Sequence, residues 1–124
     1  MTSARYAQET RSRTEFYTTP GLSGRATENG WMYYRSECAA QDFAPAHRIN
    51  LEEMPSTFIS CSEADPCRDE LIMYASRLLR SYVSTELHVI AATFHGFDSV
   101  MPAFDGSKRL RLLHADTLAR AFAY

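Results

Sequence analysis

The chain has 124 residues, of which 45% are hydrophobic and 23% charged, and its formal net charge is −2. This length suits one domain with a modest core, and the composition is that of a folded chain. The small charge predicts no general attraction to nucleic acid or to anionic membranes. No apolar run approaches the ~20 residues of a membrane-spanning helix, and the first residues lack the apolar segment of a signal peptide, so we expect a cytoplasmic protein.

The N-terminal part of the chain carries weak structural signals. Residues 1 to about 20 are polar and predict an exposed or loosely docked arm. Ser23 can cap a short helix that runs to Glu37. Residues 39–56 contain prolines and are predicted to form a loop. We therefore divide the chain into residues 1–50, an arm with a short helix and a loop, and residues 51–124, a βαβα unit.

The second part has clear periodicity. Residues 57–61 and 85–91 are apolar runs that predict strands. Between them a stripe with helical spacing predicts a helix with one buried face, formed by Leu71, Tyr74, Ala75, Leu78, Leu79 and Tyr82. A last helix is predicted from Ser107 to Phe122, with Leu110, Leu113, Thr117, Leu118 and Ala121 on one face. A strand, a helix and a strand make a βαβ unit with parallel strands and a right-handed crossover.

Asp65 and His95 each come just after one of the two predicted strands. If the strands are neighbours, both side chains project from the edge where open α/β sheets bind ligands. A carboxylate beside a histidine is the acid and base half of a Ser-His-Asp triad: the imidazole removes the serine proton, and the acid fixes its tautomer.

Each of these residues also has a plainer interpretation. Asp65 precedes Pro66, and Asp followed by Pro is a common start of a helix. A single loop histidine such as His95 often has a structural role. His88 alternates with apolar neighbours and is interpreted as a packed or hydrogen-bonded side chain.

Metal and thiol chemistry are weakly supported. A metal site made by Asp65, His88 and His95 matches no known ligand motif, so we expect no metal and no cofactor. Three cysteines without a C-x-x-C pair predict neither a disulfide framework nor a zinc site. Cys61 is interpreted as a buried strand thiol. Cys67 stands at a helix start, where a lowered pKa would favour a nucleophile.

Two motifs in order give a family resemblance. Residues 65–70 read D-P-C-R-D-E, and residues 95–97 read H-G-F. The stretch from about residue 50 to 122 resembles the C-terminal part of α/β-hydrolases related to hormone-sensitive lipase, the acetyl-esterase-like carboxylesterases. Members of that family typically have D-P-L-R-D-E, so Cys67 replaces leucine. The resemblance implies a partial α/β-hydrolase fold, with Asp65 as the triad acid and His95 as the triad base.

The chain departs from the family pattern upstream. It contains no G-x-S-x-G nucleophile elbow, and its nearest approach, residues 21–24, lacks the second glycine at the right place, so Ser23 is not expected to be a nucleophile. The oxyanion loop is also missing. Two hypotheses follow: a serine esterase fragment that acts on a small acyl ester once an upstream segment completes it, or a non-catalytic remnant or association module. For either, association through an exposed sheet edge is expected.

Overall fold

A pair of parallel strands, β1 (Thr57–Ala64) and β2 (Thr85–Phe94), forms the centre of the fold. Both are rich in β-branched and aromatic residues, which favour an extended backbone. The computed structural model describes residues 10–36 and 48–123, and within these ranges the strands make a two-stranded sheet. The predicted α/β class, and the order strand, helix, strand, helix, are confirmed.

Helices precede, connect and follow the strands. In the described ranges they are α1 (Arg11–Glu15), α2 (Gly24–Ser36), α3 (Arg68–Arg80), α4 (Phe97–Val100) and α5 (Asp105–Ala121). The cap predicted at Ser23 is confirmed, since its Oγ accepts a hydrogen bond from the Ala26 amide at 3.1 Å. The predicted helix end at Glu37 and the part of the predicted loop over 39–47 lie outside the described residues. The sequence signals did not predict α1 or α4.

Helices cover both faces of the sheet. On one face α3 packs its Ala75 and Leu78 against Ile59 of β1, together with Leu51 from the preceding loop, and all four side chains are buried. On the other face, α5 brings His114 to β1. Its ring packs edge-on against Phe58, and its Nε2 lies 3.0 Å from the Ser60 hydroxyl. A parallel sheet with both faces covered is the arrangement expected of an α/β protein.

The apolar stripe predicted for α3 is wrong at its C-terminal end. Leu79 is 55% exposed and Tyr82 is 97% exposed. The helix stops at Arg80, and Tyr82 adopts a left-handed backbone with φ of 58°. This geometry turns Val83 back into the core beside Leu78. The predicted face of α5 is likewise wrong at its C-terminal end, where Leu118 and Ala121 are both exposed.

Part of the polar segment near the N-terminus is more deeply buried than predicted. Ser12 is fully buried and Arg13 is 6% exposed, because α1 packs on the beginning of α3. The expectation of an exposed or loosely docked arm is therefore wrong for Ser12 and Arg13. Polar side chains bury here because each finds a charged or hydrogen-bonding partner on α3.

In the described ranges, no helix has the length and apolar character needed to cross a membrane.

Candidate active site

Asp65 and His95 meet at the carboxyl end of the parallel sheet. Asp65 follows β1 directly and His95 follows β2, and the His95 Nδ1 lies 2.8 Å from the Asp65 Oδ2. A carboxylate only accepts, so Nδ1–H is the donor, and the ring is held as the tautomer whose Nε2 is the basic nitrogen. The acid is 4% exposed in its side chain and the histidine is 47% exposed. The pair thus joins a buried anion to an accessible imidazole.

The second carboxylate oxygen of Asp65 accepts a hydrogen bond within the turn that Asp65 begins. Oδ1 accepts a hydrogen bond from the Cys67 amide at 2.8 Å, and the Asp65 carbonyl accepts one from the Arg68 amide. The residue at the N-cap of α3 is Cys67, so Asp65 is a turn former rather than the helix cap. An Asp side chain that bonds to the amide two residues on stabilises such a turn. Local turn chemistry and the contact with His95 therefore use different oxygens.

A bulge near the end of β2 shifts the register of the strands so that His95 follows β2 at the position where Asp65 follows β1. Ser62 pairs with Ile90, whereas Ala64 pairs with Phe94, so β2 has extra residues at this point. Ala92 adopts a left-handed φ of 56°, and its amide donates to the Glu63 carboxylate at 2.6 Å. Bulges bend a strand and re-aim the side chains that follow. Without a glycine or proline to mark it, this bulge left no signal in the sequence.

The residues after His95 fix the turn that carries it. Gly96 has a φ of 75°, a backbone conformation that glycine adopts without strain. Phe97 is 2% exposed and packs edge-on against Phe104, with 6.3 Å between the ring centres. In the H-G-F stretch, the histidine is therefore followed by a glycine in the left-handed conformation and by a buried phenylalanine.

The rest of the D-P-C-R-D-E stretch holds α1 in place. Asp69 accepts from the Ser12 amide at 2.8 Å and from Arg68 at 2.9 Å. Glu70 forms an ion pair with the buried Arg13. Arg68 also lies over the ring of Phe16, 5.3 Å from its centre. These charged residues are structural partners, and none of these contacts involves His95.

The other candidate residues lie away from the pair or are chemically unsuited. His88 bonds to Glu86 at 2.7 Å, in agreement with its interpretation as a hydrogen-bonded side chain. Among the described residues, no three metal-binding side chains come together.

Cys67 does not have the lowered pKa that a position at a helix start can give. Burial, and then the nearby Asp65 carboxylate, raise the pKa of this thiol to about 11. Both effects disfavour the thiolate. Cys61 is 6% exposed, as expected of a buried strand thiol.

Comparison with known proteins assigns the chain to a family. A family model described as "alpha/beta hydrolase fold" matches residues 1–99. A search of curated proteins gave no match.

Solved esterase structures are similar over most of the chain. Esterase LipW from Mycobacterium marinum is 41% identical, with a TM-score of 0.87 over 93% of this chain and 37% of LipW. A bacterial heroin esterase is 38% identical, with a TM-score of 0.73 over 82% of this chain and 34% of its own. Carboxyl esterase 2 from the fungus Tuber melanosporum is 27% identical, with a TM-score of 0.65 over 82% of this chain and 36% of its own. The chain therefore spans little more than a third of the length of these proteins.

Proposed function

The chain belongs to the esterase-type α/β-hydrolases, and we propose that it contributes the acid and the base of a serine carboxylesterase triad. The observation that carries the proposal is the 2.8 Å contact between the His95 Nδ1 and the Asp65 Oδ2 at the carboxyl end of the sheet. The substrate class is a small carboxylic ester, by analogy with the esterases that the chain resembles. The nucleophile and the oxyanion donors come from polypeptide outside these 124 residues, with no cofactor.

The geometry suits the chemistry of that reaction. The His95 Nε2 accepts the proton of an attacking serine and later returns it to the leaving alcohol. Asp65 stabilises the imidazolium that forms in between, and burial keeps water from competing for its Oδ2. The exposed half of the His95 ring leaves room for a serine and an ester to approach.

A chimera tests this proposal directly. This chain would replace the matching third of LipW, which supplies the remainder of the fold, and hydrolysis of p-nitrophenyl acetate would be measured. We expect turnover that falls about 10³-fold or more in His95→Ala, because loss of the general base removes the route to the acyl-enzyme. Asp65→Asn should cost roughly 10³- to 10⁴-fold in kcat, since the imidazole then loses its fixed tautomer.

His88→Ala is the matched control, because it removes a histidine from β2 that bonds to Glu86 and lies outside the pair. It should keep the turnover of the parent chimera. A folded chimera whose hydrolysis is insensitive to His95→Ala would contradict the proposed role of the pair. That result would favour the second hypothesis, a non-catalytic remnant or an association module that uses the free edge of the sheet.

A further inference from the structure

The segment from Thr10 to Gly24, here called the anchor segment, contacts both turns that carry the acid and the histidine. It comes before the sheet in sequence and has no side chain in the proposed triad. One end lies against the turn after β1, and the other lies against the turn after β2. We infer that the anchor segment positions Asp65 relative to His95, with Ser12 and Gly21 as the positioning residues; this inference rests on the proposed function.

At the acid turn, α1 and α3 cap each other. The Ser12 amide, in the first turn of α1, donates to the Asp69 carboxylate at 2.8 Å. In return, the Asp69 amide, in the first turn of α3, donates to the Ser12 hydroxyl at 3.2 Å. Neither helix has a side-chain cap from its own N-cap residue. Each helix start therefore satisfies an amide that would otherwise be left unbonded.

The Ser12 hydroxyl also reaches the residue next to the acid. It donates to the Pro66 carbonyl at 3.0 Å, and Ser12 is fully buried. The peptide that follows Pro66 carries the Cys67 amide, which donates to the Asp65 Oδ1. Ser12 thus fixes the same short turn that orients the Asp65 carboxylate. Removal of the hydroxyl would leave the buried Pro66 carbonyl and the partly buried Asp69 amide without this partner.

At the histidine turn, the contact is made by Gly21. Its φ is +84°, and a Cβ built on it would stand 2.5 Å from the backbone carbonyl oxygen of His95. A side chain at this position would push the His95 backbone away, because a carbonyl cannot yield as the end of a flexible side chain can. The absence of a Cβ at Gly21 therefore sets how close the anchor segment comes to His95.

Hydrogen bonds within the anchor segment connect the two contacts. The Gly24 amide donates to the Phe16 carbonyl at 3.2 Å, and the Thr19 hydroxyl shares its one proton between the Phe16 and Leu22 carbonyls, which lie at 3.0 and 3.2 Å. These bonds fold the segment back on itself between Ser12 and Gly21. A displacement at either contact is then transmitted to the other, so one folded segment holds both turns.

The test measures the hydrogen bond between Asp65 and His95 instead of hydrolytic activity. The 124-residue chain would be labelled with ¹⁵N-histidine, and the Nδ1–H resonance of His95 would be followed by NMR, with His95→Gln to assign it and Asp65→Asn as the reference for its loss. We expect Ser12→Ala, which lacks the hydroxyl, to lose most of the intensity of this resonance. Ser12→Thr, which has a hydroxyl, should retain it. Gly21→Ala should also lose most of it, with all the hydrogen bonds of Ser12 still available.

Matched controls separate positioning from general destabilisation. Thr14→Ala removes a hydroxyl of the anchor segment whose one hydrogen bond in the described structure is to the Thr10 carbonyl, at 3.5 Å, and which takes no part in the bonds between Ser12 and Gly21. Gly30→Ala adds a Cβ that meets nothing within 4 Å. Both controls should keep the resonance of the parent chain, and the amide signals of β1 and β2 would verify folding in every variant.

Each outcome bears on one of the two claims. If Ser12→Ala and Gly21→Ala keep the full resonance while Asp65→Asn loses it, the positioning inference is overturned and the proposed pair stands. If the folded parent chain has no resonance that depends on Asp65, the pair itself fails, and the inference falls with it. If Ser12→Ala does not fold, the result with Gly21→Ala decides.

Discussion

At the scale of single residues, burial near Asp65 lowers the reactivity of the neighbouring Cys67 thiol. Cys67 is two residues on, and its amide bonds to the acid that holds His95. The same carboxylate adds its negative field to the desolvation of the thiol, and together they raise the pKa of Cys67 to about 11. A helix start favours a thiolate, whereas burial and the nearby carboxylate both disfavour it at Cys67.

We therefore predict that Cys67 is alkylated slowly. Near neutral pH its reaction with iodoacetamide should be about 10²-fold slower than that of an unperturbed thiol, because so little thiolate is present. The rate should keep rising with pH up to about pH 11, where the pKa of Cys67 lies. Peptide mass spectrometry over time would measure this rate, with Asp65→Asn as a variant expected to react faster. A rate that levels off near the ordinary thiol pKa would contradict the prediction.

Asp69 illustrates how a paired residue couples stability to pH. Burial alone would raise the pKa of this carboxyl, but hydrogen bonds from the Ser12 amide and from Arg68 outweigh burial and lower it below its ordinary value of 3.8. The folded state thus binds this proton less readily than the unfolded chain does. The resulting stability is present above about pH 4 and is lost as the pH falls through the folded pKa.

We predict that Asp69→Asn lowers the free energy of unfolding by about 1 kcal/mol near neutral pH, as expected for the loss of a capping carboxylate. The difference from the parent chain should disappear in acid, below the pKa of the folded state. Urea unfolding at a series of pH values would measure it. Asp116→Asn is the control, because Asp116 forms an exposed pair with Arg120 and should change stability little. An equal loss at all pH values would contradict the linkage.

At the scale of the secondary-structure elements, α3 ends in a motif that normally contains glycine. The Val83 amide donates to the Leu78 carbonyl, and the Tyr82 amide donates to the Leu79 carbonyl, at 3.0 and 3.1 Å. This pair of bonds is the Schellman arrangement, which needs a left-handed residue after the helix. Tyr82 occupies that position at a φ of 58°, with a side chain that is 97% exposed. An L-residue at this φ carries a strain that glycine would not.

We predict that Tyr82→Gly raises the free energy of unfolding by about 1 kcal/mol, because it relieves the left-handed strain and gives up little packing. Tyr82→Ala is the matched control: it removes the same side chain but keeps the Cβ, so it should not stabilise the chain. Urea unfolding followed by circular dichroism would compare the three proteins. Equal stability of the glycine and alanine variants would show that the backbone at this position is not strained.

Local patterns in the sequence predicted the elements that local forces determine. The apolar runs before Asp65 and His95 predicted both strands, although each strand extends three residues beyond its run, to Ala64 and to Phe94. The periodicity around Ala75 and Leu78 predicted α3. The bulge that levels His95 with Asp65 was not predictable, since it depends on Glu63 reaching an amide 29 positions away. The docking of Ser12 on Asp69 spans 57 positions. Such contacts arise from the tertiary fold and leave no periodic signal nearby.

At the scale of the whole molecule, the pair of Asp65 and His95 lies at the end of a sheet that has two strands in the described part of the chain. It spans 37% of LipW while 93% of its own length matches. Within the described residues β1 pairs with β2 and with no other strand. Large apolar side chains such as Leu112 and Phe122 are 71% and 82% exposed. In a larger α/β-hydrolase, further strands and helices would bury surface of this kind.

We predict that the 124-residue chain alone does not hydrolyse p-nitrophenyl acetate above the level of its His95→Ala variant. General-base catalysis by His95 needs an aligned nucleophile, and the acyl-enzyme route further needs donors for the oxyanion. The sequence contains no G-x-S-x-G stretch to supply that serine. Initial rates of p-nitrophenol release by the folded chain and by its His95→Ala and Asp65→Asn variants would be compared. Turnover that both substitutions abolish would mean that a nucleophile within this chain, or within an oligomer of it, reaches the Nε2 of His95.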